Sequence, residues 1–143
     1  MEFFSNIKKY KKYHKIKFKT INRFDKLRFG CFGLRLLEHR IIPVDNLLII
    51  LKVLKKFLKS FDKNIRIRFR IFPNFSITKK PKDIRMGRGK GNVVSKVSYV
   101  SKGSILLELV NIKDIWVAKK ALLYCVIKLG VSYDIVCLSF NND

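Results

Sequence analysis

Acidic residues are scarce in this chain. Ten Asp and Glu stand against 32 Lys and Arg among 143 residues, a formal net charge of +22. A folded domain with that much uncompensated charge repels itself, and a polyanionic partner relieves the repulsion. The imbalance points to nucleic acid or an anionic membrane surface, and away from a free-standing metabolic enzyme. Cysteine is also scarce: Cys31, Cys125 and Cys137 are odd in number, widely spaced and contain no CxxC pair. A disulfide framework and a zinc ribbon are thereby excluded, and three reduced thiols, mostly in the core, are expected. His14 and His39 lie far apart. Long apolar runs are missing too. The aliphatic run Leu47 to Leu51 stops at Lys52, well short of the roughly 18 residues that a membrane span needs. No paired-carboxylate, nucleophile–base or metal constellation is present, so neither catalysis, a cofactor nor a small-molecule substrate is expected.

What the chain does have is apolar content, 48% of its residues, enough for one α+β domain rather than a disordered basic tail. Its bias is distinctive. Phe, Tyr, Met, Ile, Asn and Lys, all specified by A- and T-rich codons, make up 68 of the 143 residues, and Lys outnumbers Arg 23 to 9. An A+T-rich genome is implied.

Residues 1–24 read as a basic arm and 25–143 as a single domain. The arm interleaves Lys8, Lys9, Lys11, Lys12, Lys15, Lys17 and Lys19 with aromatic residues and His14, and Arg23 follows. A mitochondrial presequence would be amphipathic and Arg-rich, whereas this arm carries Glu2 and no Arg before Arg23. Its pattern suits phosphate neutralisation by a segment that orders on RNA. In residues 26–39, Phe29-Gly30-Cys31-Phe32-Gly33 suggests a strand with a bulge or tight bend.

Residues 43–61 predict a helix. Val44, Leu47, Leu48, Leu51, Leu54, Phe57, Leu58 and Phe61 recur at spacings of three and four, Pro43 suits the first turn and Asp45 its positive end. Residues 65–72 alternate Ile65, Ile67, Phe69 and Ile71 with Arg66, Arg68 and Arg70. On a strand the apolar set faces the core, and the arginines form a row about 7 Å apart on the other face. With no acidic neighbour in sequence, the row reads as an RNA contact. A long loop is expected over 73–92, then strands near 93–100 and 104–110. A helix over about 114–129 follows, with Ala118, Ala121, Leu122, Cys125 and Leu129 on one face and Gly130 as its stop. A last strand is expected near 134–140. The pattern predicts one α+β sandwich, a mixed or antiparallel sheet with two helices on one face.

Within the loop, Arg85-Met86-Gly87-Arg88-Gly89-Lys90-Gly91 alternates glycine with basic residues. Glycine lets backbone N–H groups approach phosphate, and Arg and Lys supply charge and donors. Neither GxxxxGK[ST] nor GxGxxG fits, because Asn92 follows Gly91. A flexible basic finger for RNA is the physical reading.

These segments resemble a known family. Ile71-Phe72-Pro73, Ile77-Thr78-Lys79-Lys80-Pro81, Arg85-Met86-Gly87 and Gly89-Lys90-Gly91 are similar to the signature of the bacterial-type large-subunit ribosomal protein L16 family. Tyr13-His14-Lys15, Phe29-Gly30 with Phe32-Gly33-Leu34, Lys102-Gly103 and Leu107-Glu108 support it. The resemblance implies an α/β-hammerhead-like fold and a structural role without chemistry. It implies rRNA binding near the central protuberance and the aminoacyl-tRNA site, with the glycine–basic loop approaching tRNA and the peptidyl transferase region. Candidate rRNA contacts are then the arm residues above with Tyr13, together with Arg28, Arg35, Arg66, Arg68, Arg70, Lys79, Lys80 and Lys82. The loop residues Arg85, Met86, Gly87, Arg88, Gly89, Lys90 and Gly91 would approach tRNA. Expected partners are large-subunit rRNA, aminoacyl-site tRNA and neighbouring ribosomal proteins, the last favoured by a first helix greasier than the family's usual one. The signature begins about as far from the N-terminus as in bacterial members. With the codon bias, this leads to the expectation of an organelle-encoded protein of a mitochondrial ribosome, a plastid-type organelle and a low-GC bacterial cytoplasm being the alternatives.

Overall fold

The computed structural model describes residues 12–14, 16–18 and 26–138. Along these run β1 (Phe32–Leu36), β2 (Arg40–Pro43), α1 (Val44–Lys59), β3 (Arg66–Phe69), β4 (Phe75–Lys79), β5 (Asn92–Val100), β6 (Ile105–Val110), α2 (Ile115–Leu129) and β7 (Tyr133–Cys137). This is an α+β fold in which every strand pairing is antiparallel. The strands form two sheets rather than one, a four-stranded sheet in the order β3-β6-β1-β7 and a three-stranded sheet in the order β2-β5-β4. The division arises at β2, which pairs with β5 rather than with its sequence neighbour β1 and runs directly into α1.

Helix α1 starts from extended Pro43, with Asp45 at its positive end and Lys56 and Lys59 in its last turn, charges that suit the helix dipole. Leu47, Ile50, Leu54 and Leu58 are buried. The expected apolar stripe is therefore shifted: Ile50 joins it, while Phe61 is half exposed beyond the helix end. Helix α2 buries Ala118, Ala121, Leu122, Cys125 and Leu129 as expected, and stops at Gly130, whose φ of 58° is left-handed and whose N–H donates to the Val126 carbonyl at 2.8 Å. The two helices pack on each other and, with Phe32, Leu34, Leu36, Leu107 and Leu109 of the four-stranded sheet, form one core cluster.

The period of two in a strand then settles the sheet's other face. Gly33, Glu108 and Arg68 are paired across β1, β6 and β3, so the face away from the helices is polar. Its centre is the buried Glu108. Segment 28–30 crosses it, and Gly30 passes so close to β6 that a Cβ would collide with the Leu109 carbonyl oxygen.

Three further expectations change. Residues 75–79 of the supposed long loop are strand β4, which shortens the irregular stretch to 80–91. The last strand ends at Cys137. Of the three cysteines only Cys125 is buried, with its thiol pushed up to about 12 by burial, whereas Cys31 is half-buried and Cys137 is exposed at the end of β7.

Candidate nucleic-acid interface

The loop between β4 and β5 turns its basic residues outward. Residues 81–90 are all exposed, Met86 completely so. Gly87, Arg88 and Gly89 have positive φ values of 106°, 51° and 84°, and two of these three steps need glycine to avoid strain. Lys80 at the loop's start donates from Nζ to the Gly87 carbonyl, bracing the finger from inside. Gly91 is half-buried at its base, and Lys79 and Lys82 are exposed. Lys82, Arg85, Arg88 and Lys90 thus share one projection with a single carboxylate, Asp83.

The arm meets the same end of the molecule. Lys12 Nζ donates to the Lys90 carbonyl at 3.1 Å, and Lys90 Nζ donates to the Tyr13 carbonyl. The Tyr13 ring sits edge-on to Phe75 with centroids 5.3 Å apart, Phe75 meets Tyr99 at 5.3 Å, and Phe18 meets Tyr99 at 5.6 Å and His39 at 5.0 Å. These aromatic contacts lay segments 12–14 and 16–18 along the three-stranded sheet while Lys12, His14 and Lys17 stay exposed. Lys8, Lys9, Lys11, Lys15, Lys19 and Arg23 lie outside the described residues.

A second basic surface lies on the outer face of the four-stranded sheet. Arg28, Arg66 and Arg68 are exposed, and the Arg68 guanidinium stacks over the Phe29 ring 4.9 Å from its centroid. Arg70 departs from the expected row. Its guanidinium turns inward to the Glu108 carboxylate, with side-chain exposures of 6% and 0% for the pair. Glu108 also accepts the backbone N–H of Phe29 at 2.7 Å, of Gly30 at 3.0 Å and of Arg28 at 3.2 Å. Burial pushes the Glu108 carboxyl up, but the Phe29 N–H, the Arg70 guanidinium and the Gly30 and Arg28 N–H groups outweigh it and hold the carboxyl below its ordinary value. The reading of three arginines without an acidic neighbour is therefore corrected. Sequence distance hid Glu108, and the buried carboxylate commits Arg70 to the fold. Arg35 is likewise ion-paired, with the half-exposed Asp134.

Against this geometry the comparisons with known proteins are specific. The family model for ribosomal protein L16p/L10e matches residues 5–136. The chain belongs to this ribosomal protein family. A mitochondrial relative named large ribosomal subunit protein uL16m, from Acanthamoeba castellanii, is 38% identical over 108 residues, 74% of either chain. The uL16 proteins of Carsonella ruddii and Mycoplasma capricolum are each 34% identical, over 89% and 86% of this chain and 92% and 88% of their own. L16p/L10e proteins are ribosomal proteins rather than enzymes. Among the described residues no cluster of His, Cys, Asp and Glu could hold a metal ion, and no helix is long and apolar enough to cross a membrane.

Glu108 is the residue that sequence reasoning left without a role. Its signal was present: one carboxylate inside Ile105-Leu106-Leu107-Glu108-Leu109-Val110, where a buried charge demands a partner.

Proposed function

We propose that this large-subunit ribosomal protein binds rRNA near the central protuberance and the aminoacyl-tRNA site, and that its loop 80–91 approaches tRNA and the peptidyl transferase region. The observation that carries the reading is the exposed glycine–basic finger, with Arg85, Arg88 and Lys90 projecting and Lys12 and Tyr13 of the arm hydrogen-bonded at its base. Its residues match the family motif Arg85-Met86-Gly87 and Gly89-Lys90-Gly91. In this reading residues 1–24 are an rRNA-binding arm on a domain of residues 25–143. Lys12, Tyr13, His14, Lys17, Arg28, Arg66, Arg68, Lys79, Lys80 and Lys82 belong to the rRNA-contacting set. Arg70 leaves that set, and Arg35 acts there only after parting from Asp134.

The cellular setting we infer is the mitochondrial ribosome. The A+T-codon bias supports it, as does the similarity to the uL16m protein of Acanthamoeba castellanii. Similarity to bacterial uL16 proteins keeps a low-GC bacterium as the second reading.

The test is binding to a large-subunit rRNA fragment across a salt series. If eight to ten phosphates are neutralised, log affinity falls against log salt with a slope of about −0.9 per contact on duplex RNA-like sites, or about −0.7 on single strands. A flat titration rejects the phosphate reading. Co-sedimentation of the protein with large subunits from purified mitochondria is the expected result for the setting.

A further inference from the structure

The four-stranded sheet ends at β3, whose strand partner among the described residues is β6. The Arg70 N–H donates inward to the Leu106 carbonyl at 2.9 Å. Antiparallel pairing alternates inward and outward groups, so the N–H and C=O of Ile67 and Phe69 point away from the sheet. Helix α1 runs beside this edge, and the groove between them has a volume of about 1300 Å³. Its floor is Leu48, Leu51 and Leu58 of α1 with Ile65, Ile67 and Phe69, and all of these except Leu58 are only half-buried. Leu48 and Leu51 belong to the α1 stripe, and the core leaves both partly uncovered.

The occupant can be read from size, edge and charge. Small-molecule pockets measure about 300–1,000 Å³, so this open groove is built for something longer. An unpaired strand edge beside an apolar trough takes an extended polypeptide, whose backbone pairs with the edge and whose alternate side chains fill the trough. RNA offers neither that backbone pattern nor the apolar side chains. Lys55, Lys59 and Lys63 border the groove together with Arg28, Arg66 and Arg68, opposed by Asp62, so the incoming segment gains from carboxylates. A second copy of this chain, at +22, would meet like charge.

We propose that the groove between α1 and β3 receives an extended acidic segment of a neighbouring protein. The segment adds to β3 as a further strand, sets apolar side chains on Leu48, Leu51 and Ile67, and places carboxylates beside Lys59 and Lys63. Arg66 and Arg68 border the same groove, so the segment would lie directly beside the face proposed to meet rRNA.

The experiment places a benzophenone side chain at Lys55, an exposed rim position to which the proposal assigns no carboxylate, and irradiates intact large subunits that carry the protein. The expected product is a protein–protein cross-link whose partner peptide alternates apolar residues and carries at least two Asp or Glu. Ile67→Pro deletes an outward N–H without touching the pairing with β6, and should lower the cross-link yield about tenfold. Lys59→Glu, an exposed change, should lower it in the same direction and serves where Ile67→Pro fails to fold. A cross-link to rRNA, to a second copy or to a segment without acidic residues overturns the proposal. So does no cross-link, or a yield unmoved by the folded variants.

Discussion

Strand β3 and the residue that follows it place an arginine at every second position, and the sheet sorts those arginines. Arg66 and Arg68 stay exposed, while Arg70 falls beside the buried Glu108 and becomes part of the domain's interior. The loop 80–91 alternates glycine with basic residues instead, and among the described residues no buried carboxylate sorts them, because residues 81–90 are exposed throughout. The difference teaches that alternation in a strand assigns a face, whereas neighbouring elements decide whether a charge on that face is spent internally. In the loop, Lys80 and Lys90 donate to backbone carbonyls, which carry no formal charge to neutralise them, and charge remains available to a partner.

The largest effect should come from breaking the strand's internal pair. Glu108→Ala leaves Arg70 buried without its counter-ion and deprives three backbone N–H groups of their acceptor. Loss of one partner of such a pair costs about 3–5 kcal/mol, to be read from urea unfolding. Acid sharpens the same point. The Glu108 carboxyl titrates below its ordinary 4.5, so its stabilisation is complete above that value and is lost as the pH falls through the lower folded-state value. The unfolding free energy of Glu108→Gln should lack this component of acid sensitivity.

Phe69→Glu comes next. It puts a charge among the half-buried apolar residues packed on the core, and should cost about 2–3 kcal/mol or more, with loss of structure in circular dichroism before any binding is measured. Arg68→Glu tests the exposed side of the same strand. The free domain should keep its fold, while a charge-assisted phosphate contact worth about 1.5–3 kcal/mol is lost. Incorporation into subunits should fall at least about tenfold. A protein that incorporates normally would remove Arg68 from the RNA face.

The smallest structural effect belongs to the loop. Arg85→Ala should change stability by less than about 0.5 kcal/mol and leave subunits assembled, yet impair tRNA accommodation or peptide formation in a translation assay. Subunits lacking the variant protein would contradict this separation between an assembling strand and a functioning loop.

Elements with strong local periodicity were legible in the chain itself. The helices came from apolar residues three and four apart and from Gly130, and β3, β5 and β6 from alternation or apolar runs. Strand β4 was obscured because Phe75-Ser76-Ile77-Thr78-Lys79 lies between Pro73 and Pro81, inside a segment dominated by its basic motif. The four residues of β2 are too short to show a period, and their pairing with β5 bridges a long sequence separation. The loop's composition was sufficient to mark it as a basic finger, since its exposure depends on having few neighbours.

Charge, the codon-driven composition, the helices, the alternation of β3 and the glycine–basic motif are properties of the sequence alone, because each depends on residues close together along the chain. The partner of Arg70, the anchoring of segment 28–30, the docking of Tyr13 and Phe18 on the three-stranded sheet and the edge of β3 that the described residues leave open were decided only by the tertiary structure. Each brings together groups distant in sequence: Glu108 lies 38 residues from Arg70 and 78 from Gly30. Burial gives such a contact its energy, and burial does not exist until the sheets and helices have closed around it.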